Sequence, residues 1–428
     1  MQREAVFKLN KSDFKEKALQ WADSFTVACY FDSNNYPDPY SSFDVMIASG
    51  VKHELASIFG DCFSALQNFL DLHKSYCIGY FGYDLKNEIE KIQSNNPDKL
   101  LFPDLYFFVP ENLILIKDQE VIITSFDPTS IWDEINSIIL PDVNEAAFSG
   151  CIQSRFIKSE YLTHVKELQN HIQRGDIYEI NFCQEFYAEN AVLNPLATFK
   201  ELNTLSPTPF SSYFKLHDKY IISATPERFL SKQGSKLVSQ PIKGTAKRNN
   251  DLEIDSRSKE YLKNDAKEIA ENIMIVDLVR NDLTKSAKPG TVKVEGLLEI
   301  YSFSQVHQMI STVVCEVADL SNATVIKNTF PMGSMTGAPK VKAMQLAEIH
   351  ERTKRGVYSG ALGYFSPNGD FDFNVIIRSI FYNKTAKYLS FQVGSAITHE
   401  SDPEQEYEEC LLKAKAINEV LTKKKNPA

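Results

Sequence analysis

At 428 residues, with 43% hydrophobic and 24% charged positions, the chain has a globular composition and enough length for two or three ordinary domains or one large integrated fold. The net charge of −10 gives no general attraction to nucleic acid or anionic lipid, so an anionic ligand has to be held by locally placed cations. Seven scattered cysteines without a Cys-x-x-Cys pair, a start lacking the apolar core of a signal peptide and the absence of a membrane-length apolar run predict free thiols in a reducing, cytoplasmic setting, with no disulfide, zinc site or membrane span.

The first third reads as strand-rich. Residues 44–48 form a short strand, 56–72 an amphipathic helix, and 105–109, 113–117 and 121–125 a meander turned at Pro110-Glu111-Asn112 and Asp118-Gln119. Such consecutive antiparallel strands imply a sheet with one face covered. Gly79-Tyr80-Phe81-Gly82-Tyr83-Asp84 reads as a strand ending in a turn. The least patterned stretch, 141–150, marks the main boundary and divides the chain into regions 1–145 and 146–428. A helix over 159–174 follows, with Leu162, Val165, Leu168 and Ile172 at helical spacing and Gly175 as its stop. His164 and His171 share a face of that helix but lack the spacing of a metal pair, which reads as exposed rather than ligating.

Next comes a hairpin running from Thr225-Pro226-Glu227-Arg228-Phe229 through Gln233-Gly234-Ser235 to Pro241-Ile242-Lys243-Gly244-Thr245. Ile221-Ile222 and Phe229-Leu230 lie on one arm and Leu237-Val238 on the other. Pairing about the glycine brings Glu227 within a few residues of Lys243, and burial would lower the lysine's pKa toward nucleophilic use. A cross-strand salt bridge on a solvated face fits the same placement. A long helix over 258–283 then carries Glu271 among apolar neighbours, costly for a carboxylate unless it is paired or holds a cation. His307, in Gln305-Val306-His307-Gln308-Met309, stands out among the eight histidines.

Thr336-Gly337-Ala338-Pro339-Lys340 opens a further helix, either plainly Pro-started or offering its amides and Lys340 to an anion. A second meander covers 358–366, 371–382 and 388–393, and its middle strand places Arg378 on an apolar surface. The last helix starts at Asp402-Pro403, with an apolar stripe of Cys410, Ala414, Ile417 and Leu421. Glu406, Glu409 and Lys413 fall at the edge of that stripe. Glu409 and Lys413 have the i,i+4 order of a surface pair, whereas the two glutamates with Glu271 make an oxygen-only ligand set suited to Mg²⁺.

Together these stretches resemble the chorismate-utilising enzymes, the family of anthranilate, aminodeoxychorismate, isochorismate and salicylate synthases. The similarity runs from about residue 154 to 420 in consistent order, with a looser match at Phe43-Asp44, 79–84 and Phe102-Pro103-Asp104. It implies an α+β fold in which two antiparallel sheets pack as a sandwich flanked by helices, with the site between sheet and helices. The 1–145 region is where the family carries a tryptophan pocket. Pro241-Ile242-Lys243-Gly244-Thr245 matches the aminodeoxychorismate synthase component I branch, whereas alanine in place of Lys243 marks anthranilate synthase. The feedback motif Leu-Leu-Glu-Ser of the latter is absent, Tyr40-Ser41-Ser42-Phe43 standing near its place.

The resemblance implies Mg²⁺-dependent amination of chorismate with ammonia to 4-amino-4-deoxychorismate, the step toward 4-aminobenzoate and folate, with glutamine served by a separate amidotransferase subunit. Glu227 matches the general acid, Lys243 the nucleophile and His307 a neighbour of the leaving group. Arg378, Lys413, Tyr358, Thr336 and Gly394 match substrate-binding positions, and Glu271, Glu409 and Glu406 the Mg²⁺ ligands. Anthranilate synthase component I and a catalytically silent chorismate-binding paralogue are the alternatives. Two positions depart from the family pattern. Glu179 stands where amine-using members have glutamine and water-using ones lysine, and Ala396 replaces a glycine of the carboxylate-binding loop.

Overall fold

A computed structural model describes residues 2–9, 12–57, 60–141, 148–249, 251–303 and 306–422. In chain order the first half comprises β1 (Arg3–Lys8), α1 (Phe14–Ala22), β2 (Val27–Asp32), β3 (Val45–Ser57), α2 (Cys62–Leu72), β4 (Cys77–Phe81), α3 (Lys86–Glu90), β5 (Leu105–Lys117), β6 (Glu120–Ser125), α4 (Pro128–Ser137), β7 (Gln153–Ser154), α5 (Lys158–Gln173), β8 (Glu179–Ala188), α6 (Pro195–Leu205) and β9 (Phe210–Leu216). The second half comprises β10 (Lys219–Thr225), β11 (Arg228–Gln233), β12 (Lys236–Gln240), β13 (Ile242–Lys247), α7 (Leu252–Asn264), α8 (Ala266–Thr284), β14 (Lys293–Ser302), β15 (Val306–Glu316), α9 (Asn322–Thr329), β16 (Gly337–Ala338), α10 (Lys340–His350), β17 (Ala361–Phe365), β18 (Phe371–Val375), β19 (Ser379–Asn383), β20 (Tyr388–Ile397) and α11 (Pro403–Thr422).

All named strand pairs are antiparallel, and they form two ladders joined through the long β3 and β5. One runs β1-β6-β5-β3-β2-β9-β10-β19-β20-β8. The other runs β5-β4-β17-β18-β11-β12-β15, with β13 and β14 also paired to β15. The ladders pack face to face, so that Cys29, Phe31, Phe214, Ile221 and Phe381 of the first share one core with Tyr80, Phe107, Leu362 and Phe373 of the second. The rings of Tyr80 and Phe214 meet edge to face across the interface at 5.6 Å, a contact worth roughly 0.5–1.5 kcal/mol beyond its buried area. Alternate residues Ala28, Tyr30, Tyr213, Ile222 and Ile380 point the other way and pack on α1, α4, α5, α6, α10 and α11. This is the α+β sandwich that the resemblance implies. No helix among the described residues is long and apolar enough to cross a membrane.

Five elements differ from the sequence reading. β3 runs on past the expected strand at 44–48, so Ala56 and Ser57 pair with the first half of β5 instead of starting the helix, and α2 begins only at Cys62. Leu105–Lys117 is one strand, not two; Pro110 lies opposite a register irregularity between Val51 and His53, where a missing N–H costs the ladder little. The helix over 258–283 is two, interrupted at Asp265, whose extended backbone (ψ 116°) ends α7 while its side chain accepts from Glu268 N–H to cap α8.

The remaining two differences shape the site. The hairpin arm breaks at Pro226-Glu227, so β10 joins the first ladder and β11 the second. The middle strand of the second meander breaks at 376–378, dividing β18 from β19 in the same way, and Arg378 adopts a left-handed φ of 53°. The breaks are held side by side: Val375 N–H donates to Glu227 O at 2.9 Å and Ala224 N–H to Arg378 O at 3.2 Å. Strands of the 1–145 region pair with later ones, as β2–β9 and β4–β17, and the boundary expected near residue 145 lies outside the described residues.

Candidate active site

Glu227 sits in the first strand break, 5% exposed. It accepts from Ser334 Oγ at 2.5 Å. Burial pushes its carboxyl up to about 7, against the opposing pull of Ser334, Lys243 and Lys413. A void of about 20 Å³, room for one water, lies against it and is lined both by apolar groups such as Phe229, Leu230 and Met332 and by polar ones such as Arg228, Asp282 and Ser334.

Lys243 begins the chain's run along β15, largely buried at 13% side-chain exposure. Its Nζ donates to Glu179 Oε1 at 3.0 Å rather than to Glu227. Asn272 of α8 fixes the adjoining backbone, its Nδ2 donating to Lys243 O at 3.2 Å while its Oδ1 accepts from Ser311 Oγ at 2.6 Å. Burial alone would lower the lysine's pKa, as the sequence reading supposed. The carboxylates of Glu179 and Glu271 outweigh that desolvation and hold the amine well above its ordinary range. The Glu179 that departs from the family pattern is thus the direct partner of Lys243, and it does not stand as an unbalanced charge beside Glu227.

Glu271, on α8, is 8% exposed, and burial drives its carboxyl up to about 7 despite the attraction of Lys243. Among the described residues its buried Oε1 has no hydrogen-bond partner, and neither does Glu179 Oε2. On α11, Glu409 pairs with Lys413 at 2.5 Å, and that ammonium, overcoming partial desolvation, holds the carboxyl well below its usual range. Glu406 is buried, accepts from Ser395 Oγ and meets Lys267 Nζ at 3.1 Å; the same ammonium lies 3.8 Å from Glu271 Oε1. The donor chemistry fits a hard divalent cation: oxygen only, with one orphaned buried oxygen. These three carboxylates do not form a group with oxygens within 4.8 Å of one another among the described residues. Lys267, which the sequence reading did not single out, stands between two of them.

Around this centre the remaining candidates fall into two sets. Lys413 Nζ donates to Gly394 O at 2.8 Å, and a Cβ at Gly394 would come within 2.7 Å of Cys183 Sγ, so a larger residue there would have to displace the buried Cys183 side chain. Ala396 lies inside β20 opposite Asn181 and outside the left-handed region, so its methyl imposes no loop strain. Tyr358 is buried with its hydroxyl 3.9 Å from Cys183 Sγ. Arg378 is half-buried, forms no ion pair among the described residues, and has its pKa lowered by desolvation. A cation left in that state is suited to an incoming carboxylate.

The other set is engaged elsewhere. Lys340 is not available to an anion: its ammonium pairs with Asp282 and donates to Pro331 O at 2.8 Å. Thr336 is buried before the helix rather than opening it, and its hydroxyl donates to Gly333 O at 3.1 Å. His307 uses both ring nitrogens, Nδ1 with Ser302 Oγ at 2.9 Å and Nε2 with Asp255 Oδ1 at 3.2 Å, and contacts neither Glu227 nor Lys243.

Comparison with known proteins decides the family. The profile described as chorismate binding enzyme matches residues 27–419. The chain belongs to the chorismate binding enzyme family. Aminodeoxychorismate synthase component 1 of Salmonella typhimurium is 32% identical over 344 residues, 79% of this chain and 75% of that one. Anthranilate synthase component 1 of Saccharolobus solfataricus is 34% identical over 425 residues, covering 97% and 96%. The crystal structure of anthranilate synthase component I from Streptococcus pneumoniae superposes with a TM-score of 0.77 at 26% identity, covering 89% of this chain and 93% of that one. Family membership makes this an enzyme acting on chorismate.

Two supports of the candidate site were missed by the sequence reading. Ser334 has no motif of its own and is brought to Glu227 by the turn before Thr336. Glu351 and Arg355 form a buried pair at 2.6 Å; Arg355 also donates to Asn181 O at 2.8 Å and Glu351 accepts from Cys183 N–H at 3.0 Å, bracing β8 beneath the site. The i,i+4 spacing was visible, but nothing local marked it as buried.

Proposed function

We propose that this enzyme aminates chorismate at C4 with ammonia, giving 4-amino-4-deoxychorismate. The observation that carries the reading is the buried amine of Lys243 on the wall that also holds Glu227, at the position where alanine marks the anthranilate-forming branch. Glu227, protonated near neutrality, donates its proton to the departing 4-hydroxyl, which leaves as water. Lys243 adds at C2 as the ring double bonds shift and the C4–O bond breaks. Ammonia then forms the C4–N bond, and the returning electron pair expels the lysine from C2. Lys243 has to lose a proton first, and Glu179 Oε1 at 3.0 Å is the acceptor in reach. Arg378 and Lys413 hold carboxylates of the substrate, with Tyr358 and Gly394 shaping the wall. Thr336 and His307 support this site from behind rather than touch the reacting atoms.

Glu271 and Glu409, with Glu406, are the proposed Mg²⁺ ligands; the bound ion would grip the ring carboxylate and draw off charge as the hydroxyl leaves. Binding there would offset two of the carboxylates that keep Lys243 protonated, making the amine easier to deprotonate. A separate glutamine amidotransferase subunit, in keeping with the component 1 naming of the relatives, would supply ammonia in a cytoplasmic setting. The assay is the purified chain with chorismate, Mg²⁺ and ammonium, products identified by mass. Conversion to 4-amino-4-deoxychorismate supports the reading, and formation of fluorescent anthranilate overturns it in favour of the other branch.

A further inference from the structure

Behind the sandwich, away from the chorismate site, α5 and α10 bring together three side chains that the proposed chemistry does not use. His164 and Glu167 lie one turn apart on α5, and His350 is the last residue of α10. His164 Nδ1 is 3.1 Å from His350 Nδ1, His164 Nδ1 is 3.3 Å from Glu167 Oε2, and His350 Nδ1 is 3.5 Å from the same oxygen. Four ligands in a tetrahedron about 2.0–2.1 Å from a Zn²⁺ ion are separated from each other by about 3.3–3.4 Å. The three observed distances are thus close to those of one face of such a tetrahedron.

Hydrogen bonding alone accounts poorly for this triangle. A proton on either Nδ1 can be aimed at only one neighbour, and the two contacts to Glu167 are longer than the usual N–H···O distance of about 2.9–3.0 Å. A proton on both nitrogens would set two donors 3.1 Å apart. A cation between the atoms satisfies all three at once. We propose that His164, Glu167 and His350 form a binding site for a tetrahedral divalent transition ion of the Zn²⁺ type, with water as fourth ligand on the side where Glu167 is half-exposed.

The two histidines and one carboxylate are a donor set that Zn²⁺ favours and Mg²⁺ does not. His350 is 7% exposed, and Phe156 covers the flank of His164 with ring centroids 5.2 Å apart, so the nitrogens are held in place. His171, two turns beyond His164 on α5, is tied to Asp176 at 2.7 Å and is not needed. Spacing along the sequence hides the site, because the partner of His164 is 186 residues away. A bound ion would clamp α5 to α10 immediately before the buried Glu351–Arg355 pair.

The test titrates the chelator-treated full-length protein with Co²⁺ in excess Mg²⁺, which occupies oxygen-only positions. We expect one equivalent to give the intense visible absorption of tetrahedral Co²⁺ and to be displaced by one equivalent of Zn²⁺. His164→Ala and Glu167→Ala should each weaken or remove the band while keeping chorismate turnover, which verifies that the variants fold. Absence of the band in the wild-type chain, or its persistence in both variants, would overturn the site.

Discussion

The buried contact between Lys243 and Glu179 separates the structural role of the lysine from its chemical one. Glu179 is 1% exposed, and its Oε2 already lacks a hydrogen-bond partner among the described residues. Lys243→Met keeps much of the side-chain volume but removes the charge opposing Glu179. Breaking a buried pair from one side costs about 3–5 kcal/mol, because a desolvated charge is left uncompensated, whereas replacing both partners by apolar groups is often neutral. Lys243→Met should therefore lose stability of that order in equilibrium urea unfolding followed by tryptophan fluorescence, and Lys243→Met/Glu179→Met should regain most of it. Turnover of chorismate with ammonium should be lost in both, since neither carries the amine. If the double variant were as unstable as the sum of the two single ones, the pair would have no coupling and its geometry would be wrong. Recovery of activity in the double variant would refute the reading of Lys243 as nucleophile.

Lys243→Arg keeps the positive charge but offers no free lone pair, so it should fail nearly as badly as alanine; starved of ammonia, the wild-type enzyme should accumulate a chorismate-derived mass on the peptide 241–247. A near-wild-type Lys243→Arg enzyme would reduce the lysine to an electrostatic role. For Glu227 the protonated form is the active one, so kcat/KM measured at constant free ammonia should fall about tenfold per pH unit above about 7, and Glu227→Gln should be inactive. The same raised carboxyls affect stability: Glu227 and Glu271 favour the folded state when protonated, and this contribution is present below pH 4.5 and lost as pH rises through about 7. Glu271→Gln should remove that part of the loss in pH-dependent unfolding. Glu271→Gln and Glu409→Gln should each abolish Mg²⁺-dependent turnover with the fold intact; near-normal activity at limiting Mg²⁺ would show that the residue is not a ligand.

The helices α5 and α11 were legible because a buried stripe repeats at helical spacing, and their ends carry local signals: Gly175 at φ 82° after α5 and Pro403 opening α11. The chemistry-bearing side chains were legible too, as charged groups in apolar surroundings. What could not be read was pairing at a distance. Glu179 and Lys243 are 64 residues apart, and each alone looks like an unsatisfied charge. Pro110 looks like a strand end until its partner strand supplies the irregularity that tolerates it. Residues 376–378 include two isoleucines, locally as good for a strand as anything beside them. They leave the ladder because β18 and β19 belong to different sheets.

That change of sheet gives the site its geometry. Inside a regular ladder a side chain has only two directions, and on these strands both lead into packed cores. A carboxyl that has to reach a substrate, and a cation that has to receive one, therefore need an interruption. Glu227 occupies one break and Arg378 the other, and backbone hydrogen bonds on either side tie them together, Val375 to Glu227 and Ala224 to Arg378. The spacing of the proposed acid and the proposed carboxylate-binding cation is consequently set by main chain belonging to both sheets, not by flexible loops. Arg378 pays for this with a left-handed backbone, a strain of order 1–3 kcal/mol that the surrounding strands have to sustain. The crossing of the two ladders thus produces both breaks and holds them side by side.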